Sequence, residues 1–155
     1  MKLRTILLIL TALTAATVLS FAAEDAAMGT WKLNEGKSKL AAGAQKNMTV
    51  VYEMAGDNIK VTIDGVDGKG NPTHNEWTGK FDGKDYAVTG DPTSDMRSYR
   101  ELNAHNLAFT VKKGDKVTLT GRIAVAPDGK SRTVTASGMD AMGMKMSMMA
   151  VYDKR

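Results

Sequence analysis

Met144, Met146 and Met148 occupy alternate positions near the end of this chain, with Lys145 and Ser147 between them. On an extended strand alternate side chains share a face, so three thioethers project together. Met142 joins the row if the strand starts early. Thioether sulfur is a soft ligand that prefers Cu(I). The same spacing also suits an inward-facing strip of core, because methionine packs adaptably into irregular apolar space. No histidine stands in the segment to complete a mixed ligand set. Core or cavity lining is the first reading. Binding of Cu(I) or Ag(I) by Met144, Met146 and Met148 is the alternative.

Other residues invite similar comparison. Arg97, Tyr99 and Glu101 also share a strand face. Turned into a cavity, Arg97 with Tyr99 suits a carboxylate, which guanidinium grips with charge-assisted, two-pronged hydrogen bonds. Turned outward, Arg97 pairs with Glu101 in solvent. Trp77 stands on a face with Thr73, Asn75, Gly79 and Phe81, a polar and aromatic mixture of the kind that lines ligand sites. Tyr52 and Trp31 are large aromatics expected to point inward. The expected ligand-contacting set is therefore Trp77, Arg97, Tyr99, Tyr52 and Met146. His74 and Glu76 suggest zinc only if a third ligand joins them. Asp64, Asp67 and Asn71 lack the spacing of a calcium loop and fit turn chemistry. There is no cysteine nucleophile, no arguable Ser/His/Asp arrangement and no glycine loop that cradles phosphate. The expectation is a non-enzymatic protein with no cofactor.

These side chains must be positioned by strands. Turn-forming clusters recur along the chain, among them Ala55-Gly56-Asp57-Asn58, Lys113-Gly114-Asp115-Lys116 and Pro127-Asp128-Gly129-Lys130. Between them lie short runs that alternate apolar and polar residues. Ile59, Val61 and Ile63 share one face, and Lys60, Thr62 and Asp64 the other. The pattern predicts about ten strands, near 29–33, 47–54, 58–65, 73–81, 85–89, 96–102, 107–113, 116–126, 131–138 and 144–153. Glu35 to Gln45 is the one stretch with helical character, weakened by Gly36 and Gly43. Hairpin-length links make a meander, and closing it removes its exposed edges. The predicted architecture is an all-β, up-and-down antiparallel barrel of about 8 to 10 strands. A two-sheet sandwich is second.

The first 22 residues read as a secretory signal peptide: Lys2 and Arg4, an uncharged run from Ile6 to Leu19, then Ser20-Phe21-Ala22 as a cleavage site. Removing them leaves 133 of the 155 residues, 23–155, as a single domain, and lowers the formal charge from +4 to +2. No Lys/Arg cluster remains to suggest nucleic acid. The chain has no cysteine, so disulfides and lipid attachment through cysteine are both excluded. An exported domain without disulfides suits a bacterial periplasm. We expect a periplasmic or secreted monomer with no stable membrane insertion.

Gly29-Thr30-Trp31 at the start of the first strand resembles the Gly-x-Trp signature of lipocalins. Ser94-Asp95-Met96-Arg97-Ser98-Tyr99 resembles a degraded form of the lipocalin Thr-Asp-x-x-x-Tyr motif. In that family a late arginine packs across the tryptophan, a role that falls here to Arg122 or Arg132. Strand count and mature length look closer to the ten-stranded fatty-acid-binding branch of the same superfamily, and Arg97-x-Tyr99 resembles the pair that branch uses for carboxylates, though in mid-chain. Asp67-Gly68-Lys69-Gly70-Asn71-Pro72 and Trp77-Thr78-Gly79-Lys80-Phe81-Asp82-Gly83-Lys84-Asp85-Tyr86 are similar to stretches in small exported bacterial lipocalin-like proteins. The resemblance implies a cup-shaped barrel for a small lipophilic or amphipathic molecule, and no catalysis. Three functions follow for comparison: ligand binding in a hollow barrel, Cu(I) carriage by the methionines, or a filled structural barrel of the envelope.

Overall fold

The computed structural model describes residues 26–139 and 142–155. The expected signal peptide, residues 1–22, lies outside the described residues. The elements run β1 (Gly29–Leu33), a single 3-10 turn (Glu35–Lys37), β2 (Lys46–Ala55), β3 (Asn58–Val66), β4 (Pro72–Gly79), β5 (Tyr86–Thr89), β6 (Met96–Asn103), β7 (Asn106–Lys113), β8 (Lys116–Val125), β9 (Ser131–Met139) and β10 (Lys145–Lys154). Each strand pairs antiparallel with its neighbour in sequence. β1 also pairs with β10, matching Trp31 to Lys154 and Leu33 to Tyr152. The result is a closed ten-stranded barrel, and the sandwich alternative falls.

Local chemistry accounts for the meander. Gly56-Asp57 and Gly114-Asp115 each form a two-residue link between strands, with Gly56 at φ 64° and Gly114 at φ 57°. Tight hairpins need positive φ, and glycine supplies it without steric cost. In the link between β3 and β4, Asp67 Oδ1 accepts hydrogen bonds from the backbone N–H groups of Lys69 and Asn71, which confirms a turn role for that acid. Alternation then assigns the faces. Ile59, Val61 and Ile63 of β3 are buried, while Lys60, Thr62 and Asp64 face out.

Of the stretch with helical character, Glu35 to Gln45, a single 3-10 turn forms. Asn34 Oδ1 caps it by accepting from Lys37 N–H at 3.2 Å. Beyond it the backbone finds partners elsewhere: Lys39 and Met149 exchange N–H···O bonds of 2.7 and 3.0 Å across to β10. Those cross-chain bonds replace the intrahelical ones, and Gly43 turns the chain back at φ 74°.

One end of the barrel is sealed. Trp31 is fully buried, and its indole N–H donates to the Ala27 carbonyl at 2.8 Å. The Arg132 guanidinium lies 4.8 Å from the Trp31 ring centroid and 4.9 Å from those of Tyr52 and Tyr152. Beside this stack Trp77, Phe81 and Tyr99 interlock, with Trp77 and Tyr99 edge to face at 4.8 Å. Room for Phe109 comes from Gly121 on the facing strand, where a Cβ would sit 2.5 Å from the Phe109 ring. No helix among the described residues is long and apolar enough to cross a membrane.

Replacing Trp31 with Ala removes the centre of the sealed end. We expect a loss of about 3–5 kcal/mol of unfolding free energy, seen as a lower urea midpoint by circular dichroism. Met54→Ala, at an exposed position, should move stability by less than about 0.5 kcal/mol.

Candidate ligand-binding cavity

The opposite end, where β1–β2, β5–β6, β7–β8 and β9–β10 connect, opens into a cavity of about 730 Å³. Its walls are apolar: Leu33, Val50, Ile63, Phe109, Val111, Leu119 and Val134 come from six strands. Strand alternation brings them together, since each is an inward position on its own strand. Among them stand polar groups with little access to water. Arg97 is 6% exposed and Arg132 3% exposed, and both line the hollow.

Arg97 Nη2 donates to Asn75 Oδ1 at 3.3 Å. Tyr99 lines the same hollow, its ring edge to face with that of Tyr52 at 6.3 Å. Nη1 of Arg97, and Nε and Nη1 of Arg132, are buried without a hydrogen-bond partner among the described residues. An unmet N–H on a buried cation is costly, because its lost hydration is not replaced. Asp91 is the acid in the lining. Burial opposes its charge, but hydrogen bonds from Ser94 and Thr93 and the field of Arg97 hold its carboxyl below the usual range. Ser94 Oγ donates to Asp91 Oδ2 at 2.6 Å, and Thr93 occupies Oδ1 through its N–H and hydroxyl. Asp91 is thus largely committed to its own loop. The mouth adds Lys46, Lys113 and Lys116. An apolar hollow with two buried guanidinium groups and a cationic rim is matched to an amphipathic anion.

Of the expected ligand-contacting residues, Tyr52, Arg97, Tyr99 and Met146 line the cavity. The outer-face reading of Arg97 with Glu101 is overturned, because the guanidinium points inward to Asn75. Trp77 lies outside the lining. It packs against Tyr99, Phe81 and Tyr86, and its indole N–H donates to the Arg97 carbonyl at 2.8 Å, so it supports the lining from behind. The methionines divide: Met148 is half-buried against the core and lines the cavity, Met146 lines its mouth, and Met144 is exposed outside the lining. Arg132, rather than Arg122, packs across Trp31. Its place in the cavity was not apparent from the local sequence, nor was that of Asn75 or Asp91; the one signal was the alternation that puts Asn75 in step with Trp77.

His74 is not among the residues that line this cavity. It lies exposed on the outer surface, with Nδ1 2.7 Å from Asp64 Oδ1 and Nε2 3.7 Å from Glu76 Oε1. Glu76 is shared with Lys60 at 2.8 Å. Among the described residues no three His, Cys, Asp or Glu side chains are grouped to hold a metal, so the zinc reading gains no third ligand.

No protein-family model matches the chain, and no curated protein matches it. One solved structure, that of EF1p2_mFAP2b bound to DFHBI, is similar over 88% of this chain and 99% of its own, at 8% sequence identity and a TM-score of 0.49.

Two titrations test the electrostatics. The hydrogen bond to Asp64 raises the His74 pKa above its ordinary 6.5. The resulting stabilisation is complete below the ordinary value and is lost as pH rises through the folded one. Proton NMR should find a raised midpoint, and Asp64→Asn should return it toward 6.5. Burial pushes the Tyr152 phenol up to about 12, against the pull of Arg132, and raises Tyr99 further. Both phenols therefore favour the folded state fully below the ordinary 10.0 and lose that effect as pH climbs toward 12. Phenolate absorbance should show Tyr99 and Tyr152 titrating only as the chain unfolds in alkali.

Proposed function

We propose that this protein is an exported, non-enzymatic carrier of the lipocalin-like kind that holds a small amphipathic molecule with an acidic head group inside its barrel. The observation that carries the reading is the pair of buried arginines in an apolar hollow, each with N–H groups that no described residue satisfies. The cavity volume lies in the range of small-molecule sites, roughly 300–1,000 Å³. The apolar part of the guest is stabilised by removal from water, at about 25 cal/mol per Å² buried. The acidic group is received at Arg97, where Asn75 holds the guanidinium in place. Packing of Arg132 across Trp31 supports placing the chain with lipocalin-like barrels. The expected leader supports export to the periplasm, and the site offers binding groups without an evident nucleophile or paired acid and base.

The test uses an anionic, environment-sensitive dye of the anilinonaphthalene type. Its fluorescence should rise on binding, and laurate should displace it more strongly than the alcohol of equal chain length. Arg97→Gln should weaken laurate about 10- to 100-fold, the scale of a lost charged hydrogen bond, and leave the alcohol nearly unchanged. A dye that stays dark, or a variant that treats acid and alcohol as the wild type does, refutes the proposal.

A further inference from the structure

We propose that the guest of the barrel is a dianion, an amphipathic molecule that brings a second negative charge to Arg132 besides the one received at Arg97. The inference rests on the binding reading above and names the class of molecule that the same hollow selects. Its starting point is the charge of the lining. Lys46, Arg97, Lys113, Lys116 and Arg132 line the cavity, with Asp91 the acid among them. Three of these cations already have company. Lys46 pairs with Glu35, and Lys113 and Lys116 are exposed to water at the mouth. Asp91 is engaged by Ser94 and Thr93 of its own loop. What remains is the two guanidinium groups, both shut away from solvent.

Neither guanidinium has a counter-ion in the protein. The ion pairs of the described residues join lysines and His74 to acids, and neither Arg97 nor Arg132 takes part. Arg97 has one neutral acceptor, Asn75 Oδ1, and leaves Nη1 unmet. Arg132 leaves both Nε and Nη1 unmet. The rings of Trp31, Tyr52 and Tyr152 attract its charge without accepting these N–H groups. The phenols do not supply an anion either, because burial holds Tyr99 and Tyr152 in their protonated form at neutral pH. A buried charge is stable when it is both paired and hydrogen-bonded. A guest with a single negative charge compensates one guanidinium and leaves the other bare in the same apolar hollow.

Two kinds of amphiphile share the required chemistry. A phosphate monoester carries close to two negative charges at neutral pH on one head group, with three acceptor oxygens. A long-chain dicarboxylate carries one charge at each end. Either offers acceptors to the unmet nitrogens and hydrocarbon to walls such as Leu33, Val50, Ile63 and Val134. Lysines at the mouth favour the same guest on approach, since Coulomb attraction grows with its charge.

The experiment displaces the anionic dye with laurate, dodecyl phosphate and dodecanedioate, which share one chain length. At neutral pH the better of the two dianions should compete roughly 10- to 100-fold more strongly than laurate, the scale of an added charged hydrogen bond. A preference for the phosphate puts both charges on one head group, and its affinity should rise with pH through about 6, where the second proton leaves. A preference for the diacid puts the charges at two ends. Nitrogen-15 spectra of the arginine side chains report the contact directly. The Arg132 Nε–H signal should shift and saturate with the preferred dianion, while Arg100, exposed on β6, stays still as the internal control. Arg132→Gln, in protein with an unchanged circular dichroism spectrum, should shrink the preference to within about 3-fold. Equal competition by laurate and both dianions, an Arg132 signal that stays still as a dianion binds, or a folded variant that keeps the preference overturns the inference and leaves the single-anion carrier standing. Failure of all three acids to displace the dye refutes the carrier and the dianion together. The wild-type measurements decide the question even if the variant does not fold.

Discussion

Everything in this molecule depends on the short ladder between β1 and β10. Among the strand-to-strand ladders described it is the one that joins distant parts of the chain, matching Trp31, Lys32 and Leu33 to Lys154, Asp153 and Tyr152. Every other pairing joins neighbours in sequence through a short connection and forms locally. Without the closing ladder the meander has two edges and no interior. With it, each alternating strand acquires an inside, and inward side chains from ten strands meet across a common space. The Trp31–Arg132 stack lies beside this seam and ties β1 to β9 across β10, so closure and the sealed end reinforce each other.

Closure also sets the electrostatics. A guanidinium on an open sheet is hydrated and unremarked by the fold. Inside a barrel it loses that water, and its hydrogen-bonding capacity must be met by other groups. Arg132 is partly compensated by three aromatic faces, which attract a cation but take up no N–H. Arg97 has Asn75, yet Nη1 stays unmet. The hollow and the unmet donors are two consequences of one topology. A charged guest with an apolar tail relieves both, filling the space and supplying the acceptors.

The hairpin of methionines shows the opposite behaviour. It lies where the barrel stops enclosing its residues, so alternation persists while burial ends. The inward face of β10 runs from buried Tyr152 and Ala150, through half-buried Met148, to exposed Met146 at the mouth. A single row of alternate residues is therefore core at its inner end and surface at its outer end.

Much of this was legible in the linear chain. Period-two alternation in β3, β7 and β8, and glycines with acids at the turns, specify antiparallel hairpins through forces between residues near one another in sequence. Faces within a strand follow from the same period, which is why Tyr52, Tyr99 and Met146 were recognised. Which face of a strand looks inward is a different matter when both carry polar groups. Arg97 could not be assigned until β5 and β7 flanked β6, and Trp77 fell behind the lining because Tyr99 and Phe81 lie over it. The helical character after β1 stops at one 3-10 turn, beyond which Lys39 pairs with Met149, 110 residues away. Sequence by itself determined the strands, the turns and the outline of the barrel, since those rest on local dihedral preference and hydrophobic period. The tertiary structure alone decided that Arg97 and Arg132 share a cavity, because burial and juxtaposition are properties of the closed surface and of no single segment.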